Sequence, residues 1–456
     1  MSNPFIDKSS MIRVPVSGLK LGMFVAELDR PWLETPFLMQ GFAIRHPSEI
    51  RKLQEYCDYV YVEKQGRTWG DKKDPFRTHF GLPKRSADGS GESGLQKRVT
   101  TGHRKTPLEV MLSAPPHPVE RSVEEEHPVA RKAFQAAHNT VENLLEQARM
   151  GNAVDTQAAK EVVTDCVDSI LRNPHALLWM AKIKHVDQYT MEHCLNVCIL
   201  AVAFGRHLRL PKDDLVKLGI GGMLHDVGKM KIPPEILNKP ERLSEEEFDV
   251  IKTHTEEGRK LLMKSEGSLS VAIDVANNHH ERMDGKGYPR GLFARELTSY
   301  ARIIAIVDAF DAMTSDRCYD GAKSTLDALK EIYRKRGTQF DEDYSLEFIQ
   351  LMGPYPPGTI VELMNGYVAI VLSSQEKKRH LPLVKLVLDD NKQKIGEEFI
   401  DLRDSQNGTL PKDWLIRRVL KDGENGVFLE DCPVKMAVSA FSHSASEEGD
   451  QPPGEE

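Results

Sequence analysis

Residues 277–292 read NNHHERMDGKGYPRGL. The apolar spacing of VAIDVANNHH leading into this stretch is helical, whereas the glycines and proline beyond Asp284 cannot continue a helix. His279 and His280 therefore stand side by side where a helix gives way to a loop. Two adjacent imidazoles in that position call for a shared partner, and a metal ion is the first candidate. A chain built on such a pair must fold so that further donors converge on it from elsewhere.

The surrounding sequence divides by periodicity. At 456 residues the chain exceeds a single hydrophobic core, and roughly two to four domains are expected. Residues 1–64 mix short apolar runs with Gly and Pro turn signals, then one helix and a closing strand, as expected of a small α+β module. Residues 65–122 are rich in Lys, Arg, Gly, Ser and Pro and read as a flexible linker, with Phe76, Phe80 and Leu82 as local docking points. Helical spacing runs through residues 123–352, where Phe134, Val141, Leu144, Leu145 and Ala148 form one apolar face. Ser244 and Glu247 have the spacing of a capping box. Residues 353–437 form a small β domain whose first hairpin turns at Asn365-Gly366. The acidic tail, 438–456, is expected to be disordered.

Several function classes are set aside. A net charge of −8 argues against a dedicated DNA or RNA binder, which carries a basic face. The six cysteines form no CxxC pair and read as reduced thiols. The first residues lack the pattern of a secretory signal. The longest apolar run, residues 197–204, falls short of the ~20 residues a membrane helix needs. A cytoplasmic protein without a membrane partner is expected.

Within the helical region, His193, His225, Asp226, His254, His279, His280 and Asp308 come from separate helical segments. Taken singly, a helical His is usually structural and an Asp near a helix end is usually a cap. An adjacent His-Asp pair is weak evidence too, because neighbouring helical side chains point ~100° apart. Imidazole with carboxylate suits Fe, Mn, Co, Ni or Zn rather than Mg or Ca. The spacing alone reaches a binuclear metal phosphohydrolase, since paired ions acidify a shared water and neutralise phosphate oxygens.

The ordered motifs YTMEHCLNV, HDVGK, KTH followed by Gly258, NHHER, DGKGYP and RIIAIVDAFDAMTSDR resemble the HD-GYP family of HD phosphohydrolases, over about residues 182–352. Residues 1–64 resemble the small module that often precedes this domain in bacterial proteins. The resemblance implies a multidomain, mainly α protein: an all-helical HD-type catalytic domain flanked by a small α+β N-terminal domain and a small β C-terminal domain. It implies that His193, His225, Asp226 and Asp308 hold one metal, and that His254, His279 and His280 hold a second, with Asp226 bridging. Two divalent transition metal ions, iron or manganese, are the implied cofactors. Asp226 and Lys229 are the implied catalytic residues. Lys229 and Arg317 match phosphate contacts, and the Gly285, Gly287 and Tyr288 loop lies at the mouth of the site, where Tyr288 shapes access. The implied substrate is cyclic di-GMP, opened to linear pGpG and onward to GMP. Signalling-protein partners at the Gly-Tyr-Pro loop and a homodimer belong to the same expectation.

The chain departs from the family pattern in places. Tyr189 stands where some members carry a Glu that supports a third metal, so two metals are expected. Cys318, Tyr319 and Asp320 follow Arg317, which puts an acid where a cation often meets phosphate; Lys323 is a candidate to compensate. Cys194 replaces a usual Ser and Thr255 a usual Pro. Asp320 is the feature that favours the alternative, a catalytically weak cyclic di-GMP sensor of the same fold.

Overall fold

The computed structural model describes residues 11–20, 23–29, 42–44, 47–63, 107–182, 189–265, 267, 270–315, 323–374, 378–406 and 408–431. They fall into two compact units, Met1–Lys105 and Thr106–Glu456. In the first, strands β1 (Met11–Pro15), β2 (Phe24–Leu28), β3 (Phe42–Ala43) and β4 (Tyr59–Glu63) form an antiparallel sheet in the order β1-β4-β2-β3. Helix α1 (Pro47–Tyr56) contributes Leu53 to a small core with Val25, Leu28, Ile44, Val60 and Val62.

The second unit opens on a short helix, α2 (Pro107–Met111), and an extended strap. Residues 107–122 were expected to finish a flexible linker, and here the structure corrects the reading. Arg206 donates to the carbonyls of His117 (2.9 Å) and Pro118 (2.8 Å). Arg209 donates to Ala114 O at 2.7 Å, and the amide of Glu120 donates to Arg172 O at 3.0 Å. Prolines keep this segment from making a ladder of its own, so its carbonyls are left for arginines of the helical body. The remainder of the expected linker, 65–106, lies outside the described residues, as does the acidic tail.

Helix α3 (Val123–Met150) starts at a capping box: Ser122 Oγ accepts from Glu125 N and Glu125 Oε2 accepts from Ser122 N. It stops at Gly151 in the left-handed conformation, φ 84°. Its buried stripe is Ala130, Ala133, Ala137, Val141, Leu144 and Ala148, with Leu145 at its edge. Phe134 is only half-buried, so the face is built mostly from alanines, which let neighbouring helices approach closely. Helices α4 (Thr156–Arg172) and α5 (Pro174–Met180) follow, then α6 (Tyr189–His207) and α7 (Lys212–Leu224). The apolar run at 197–204 is the buried centre of α6, and no helix among the described residues is long and apolar enough to cross a membrane.

The body continues through α8 (Pro234–Leu237), α9 (Glu245–Lys252), α10 (His254–Lys264), α11 (Ser270–Asn278), α12 (Ser299–Thr314), α13 (Thr325–Lys335) and α14 (Glu342–Met352). The capping box expected at Ser244 and Glu247 starts α9.

Five antiparallel strands close the unit: β5 (Ile360–Leu363), β6 (Val368–Ser373), β7 (Leu383–Leu388), β8 (Lys394–Asp401) and β9 (Ile416–Val419), in the order β8-β7-β6-β5-β9. The β5–β6 hairpin turns at Asn365-Gly366, with Gly366 at φ 92°. Ile360 and Ile370 face a core shared with Trp179 of α5, while Val361 and Ala369 face a second core. Both sheet faces are covered, which accounts for the continuous apolar strands, and Trp179 ties the sheet to the helical body.

Candidate metal centre

The His225-Asp226 pair sits where α7 ends. His225 keeps a helical backbone, but Asp226 leaves it (φ −104°, ψ 8°), and a 3-10 turn, Val227–Lys231, carries the chain away. That break lets two consecutive side chains reach the same point, which an uninterrupted helix forbids. The end of α11 serves His279 and His280 in the same way. His193 enters from α6, Asp308 from α12, and His254 is the first residue of α10.

His254 reaches the centre because two backbones nearly touch. Gly228, in the turn after Asp226, packs against the start of α10 so tightly that a Cβ there would lie 1.9 Å from His254 O and 2.4 Å from Gly258 N. Only a residue without a side chain permits this approach.

All seven sequence-predicted donors come together. Asp226, His254, His279 and His280 offer ligand atoms within 4.8 Å of one another, and so do His193, His225 and Asp308. Asp226 divides its oxygens between the groups. Its Oδ2 lies 3.3 Å from His225 Nε2 and 3.6 Å from His193 Nε2. Its Oδ1 lies 3.3 Å from His254 Nε2 and 3.6 Å from His279 Nε2. Asp308 Oδ1 lies 3.1 Å from His193 Nε2, and Asp308 Oδ2 is 3.9 Å from His280 Nδ1.

The outer nitrogens are tethered. Nδ1 of His225 lies 2.7 Å from Gly222 O, Nδ1 of His254 lies 2.7 Å from Ile251 O, and Nδ1 of His279 lies 3.0 Å from Val275 O. A carbonyl can only accept, so each Nδ1 carries the proton and each Nε2 turns a lone pair inward. His193 Nδ1 is held by a carboxylate instead, Asp311 Oδ2 at 2.8 Å. This arrangement fits a divalent transition ion. The inward atoms are imidazole nitrogens and carboxylate oxygens, and His225 Nε2 and Asp226 Oδ1 are buried without a hydrogen bond.

Electrostatics follow from this crowding. Burial pushes His254 down to about 3, away from the charged form. Burial acts the same way on His193, but Asp308 and Asp311 outweigh it and hold that imidazole up to about 9. Asp226 stays well below the carboxylate range despite its burial, because His225 and Lys229 face it. Lys229 Nζ contacts Asp226 Oδ2 directly.

The Gly-Tyr-Pro loop folds over one side. Glu281, buried at its root, accepts the amides of Arg290 (2.7 Å) and Leu292 (2.9 Å). Gly285 (φ 73°) packs beside the Phe293 ring, and a Cβ on Gly287 would lie 2.5 Å from Arg282 N. Both glycines are thus placed in contacts within the loop. The Tyr288 ring lies over His280, centroids 4.8 Å apart and tilted 33°. Arg317 and Asp320 lie outside the described residues. Tyr189 opens α6, and its side chain is likewise outside them.

Comparison with known proteins adds to this geometry. The HD domain model matches residues 172–344, and that of a domain of unknown function, DUF3391, matches residues 11–159. The chain is 33% identical over 392 residues to the cyclic di-GMP phosphodiesterase PA4108 of Pseudomonas aeruginosa, covering 86% of this chain and 88% of that protein. The chain belongs to the HD-GYP family. More local matches within this HD-GYP chain are a cyclic di-GMP phosphodiesterase of Thermotoga maritima and the 3'3'-cGAMP-specific phosphodiesterase 1 of Vibrio cholerae. The first is 33% identical over 196 residues, 43% of this chain and 53% of that protein. The second is 39% identical over 149 residues, 33% and 34% of the two chains.

Sequence reasoning missed two carboxylates of this HD-GYP site. Asp311 stands three residues after Asp308, on the same face of one helix, and that spacing was the available signal. Glu281 directly follows the two histidines, but its role is to hold backbone amides up to eleven residues away.

Proposed function

We propose that this chain hydrolyses cyclic di-GMP, opening one phosphodiester link to give linear pGpG, with GMP as a slower second product. The carrying observation is Asp226, whose two oxygens face two imidazole groups in one buried cluster. The Pseudomonas relative, named as a cyclic di-GMP phosphodiesterase and matched along most of both chains, supports the same substrate.

His193, His225, Asp226 and Asp308 would hold one divalent ion, and Asp226, His254, His279 and His280 a second. Iron or manganese suits this nitrogen and oxygen set. Bound there, the ions supply the positive charge and Lewis acidity that phosphodiester cleavage needs. The protein's own groups do the rest. The backbone carbonyls and Asp311 stop the imidazoles from rotating. Lys229 carries a charge held above the usual lysine range: burial opposes it, and Asp226 and Asp308 outweigh burial. It is poised to meet a phosphate oxygen, and Arg317, close after α12, would meet another. Tyr288 walls the site beside His280 and limits the entry of water. The reaction belongs in the cytoplasm on this reading, with the Gly-Tyr-Pro loop as a surface for signalling proteins and a homodimer as the assembly.

Asp226→Ala should abolish hydrolysis while circular dichroism stays helical. Near-normal turnover with an intact spectrum would refute the shared-carboxylate assignment. Time-resolved chromatography should show pGpG building up before GMP, and immediate stoichiometric GMP would contradict the product order. The Vibrio relative makes 3'3'-cGAMP the second substrate to assay.

A further inference from the structure

We propose that Phe248, assisted by Lys252, is a stacking shelf for a guanine base of the bound cyclic dinucleotide, and so a positioning residue for the substrate. The inference rests on the substrate proposed above. Single exposed apolar side chains are ordinary on protein surfaces. This one occupies a particular place. Phe248 is 46% exposed on α9, a helix that buries none of its residues, so the ring serves no core.

It ends a row of rings that begins on the donors. Tyr288 lies 4.8 Å from His280 and 6.4 Å from His254, centroid to centroid, and Phe248 lies 6.2 Å beyond Tyr288. Open aromatic surface therefore starts one ring out from the atoms that would meet the scissile phosphate. A nucleotide has the same order of parts, with its base one sugar removed from its phosphate. The shelf is also tied to the centre through the chain, because α9 ends at Lys252 and His254 follows after a single intervening residue.

Lys252 adds a preference among bases. Its Nζ sits 5.2 Å from the centre of the Phe248 ring and is anchored by an ion pair with Asp249. Stacking accepts any base, since every base has a π face. An ammonium beside the stack matches the O6 acceptor of guanine, where adenine presents an N6 amino donor; the N7 acceptor is common to both.

The test uses the full-length, metal-loaded protein with cyclic di-GMP and cyclic di-AMP as probes. Phe248→Ala should raise KM for cyclic di-GMP about tenfold with kcat held within about twofold, and Phe248→Trp should return KM to within about twofold of the parent. Lys252→Met should narrow the preference for cyclic di-GMP over cyclic di-AMP. An unchanged KM in Phe248→Ala overturns the shelf, as does Phe248→Trp behaving no better than alanine. Calorimetric binding of cyclic di-GMP separates this failure from failure of the substrate reading. Equal affinity in the parent and Phe248→Ala defeats the shelf alone. A parent that neither binds nor cleaves cyclic di-GMP defeats both.

Discussion

Replacing Gly228 with alanine puts a methyl carbon 1.9 Å from His254 O, 2.4 Å from Gly258 N and 2.9 Å from Gly258 Cα. All three are backbone atoms in the first turns of α10, so no side chain can swing aside. Ordinary contact begins at 3.4 Å, and the turn and helix must therefore separate by about 1.5 Å. Overpacking of this kind costs about 1–3 kcal/mol or more, and each kcal/mol lowers the melting temperature by roughly 2–4 °C in a domain of this class. The consequence for the site is sharper. His254 Nε2 now lies 3.3 Å from Asp226 Oδ1, whereas metal–ligand distances tolerate only about 0.2 Å of error. Gly228→Ala should therefore lose the ion served by His254 while the protein stays folded. Elemental analysis after loading with iron or manganese should find bound metal falling toward half the parent's content, with hydrolysis lost. Gly258→Ala is the graded control, because a Cβ there meets nothing closer than 3.3 Å, and its effect should be much smaller. Full metal content and parental activity in Gly228→Ala, or equal losses in the two variants, would refute the steric reasoning.

Two further outcomes are expected. Asp311→Ala removes the carboxylate on His193 Nδ1 and should weaken metal affinity by about 10–100-fold without altering the helical spectrum; an unchanged affinity in a competition titration would deny Asp311 its positioning role. Burial, with Arg379 and Arg206 nearby, pushes His175 down to about 4 from an unfolded value of 6.5. Its folded value is depressed, so its contribution to stability is complete above pH 6.5 and is lost as pH falls from 6.5 through 4. Denaturant melts across that window should flatten in His175→Gln, and an identical slope in both proteins would exclude the assignment.

The helical body, the capping box at Ser244 and the hairpin at Asn365-Gly366 are readable along the chain. Each depends on residues within one or two turns of one another, and local propensity and periodicity act over that distance. The seven donors are readable as well, because their residue types recur in ordered motifs. Other features arise only where distant segments meet. Arg206 and Arg209 bind carbonyls of residues 114–118 across about ninety positions, which turns a proline-rich segment that looks like linker into a strap. Asp311 and His193 stand 118 positions apart; the spacing of Asp311 from Asp308 puts it on the same helix face, but only the packing of α6 against α12 brings it to His193 Nδ1. Gly228 appears in the sequence as one more glycine in a turn; its necessity comes from the α10 backbone lying against it. The division of Asp226 Oδ1 and Oδ2 between two imidazole groups has the same origin. A sequence pattern specifies which groups are present, but the direction in which a carboxylate oxygen points is decided by packing among α6, α7, α10, α11 and α12.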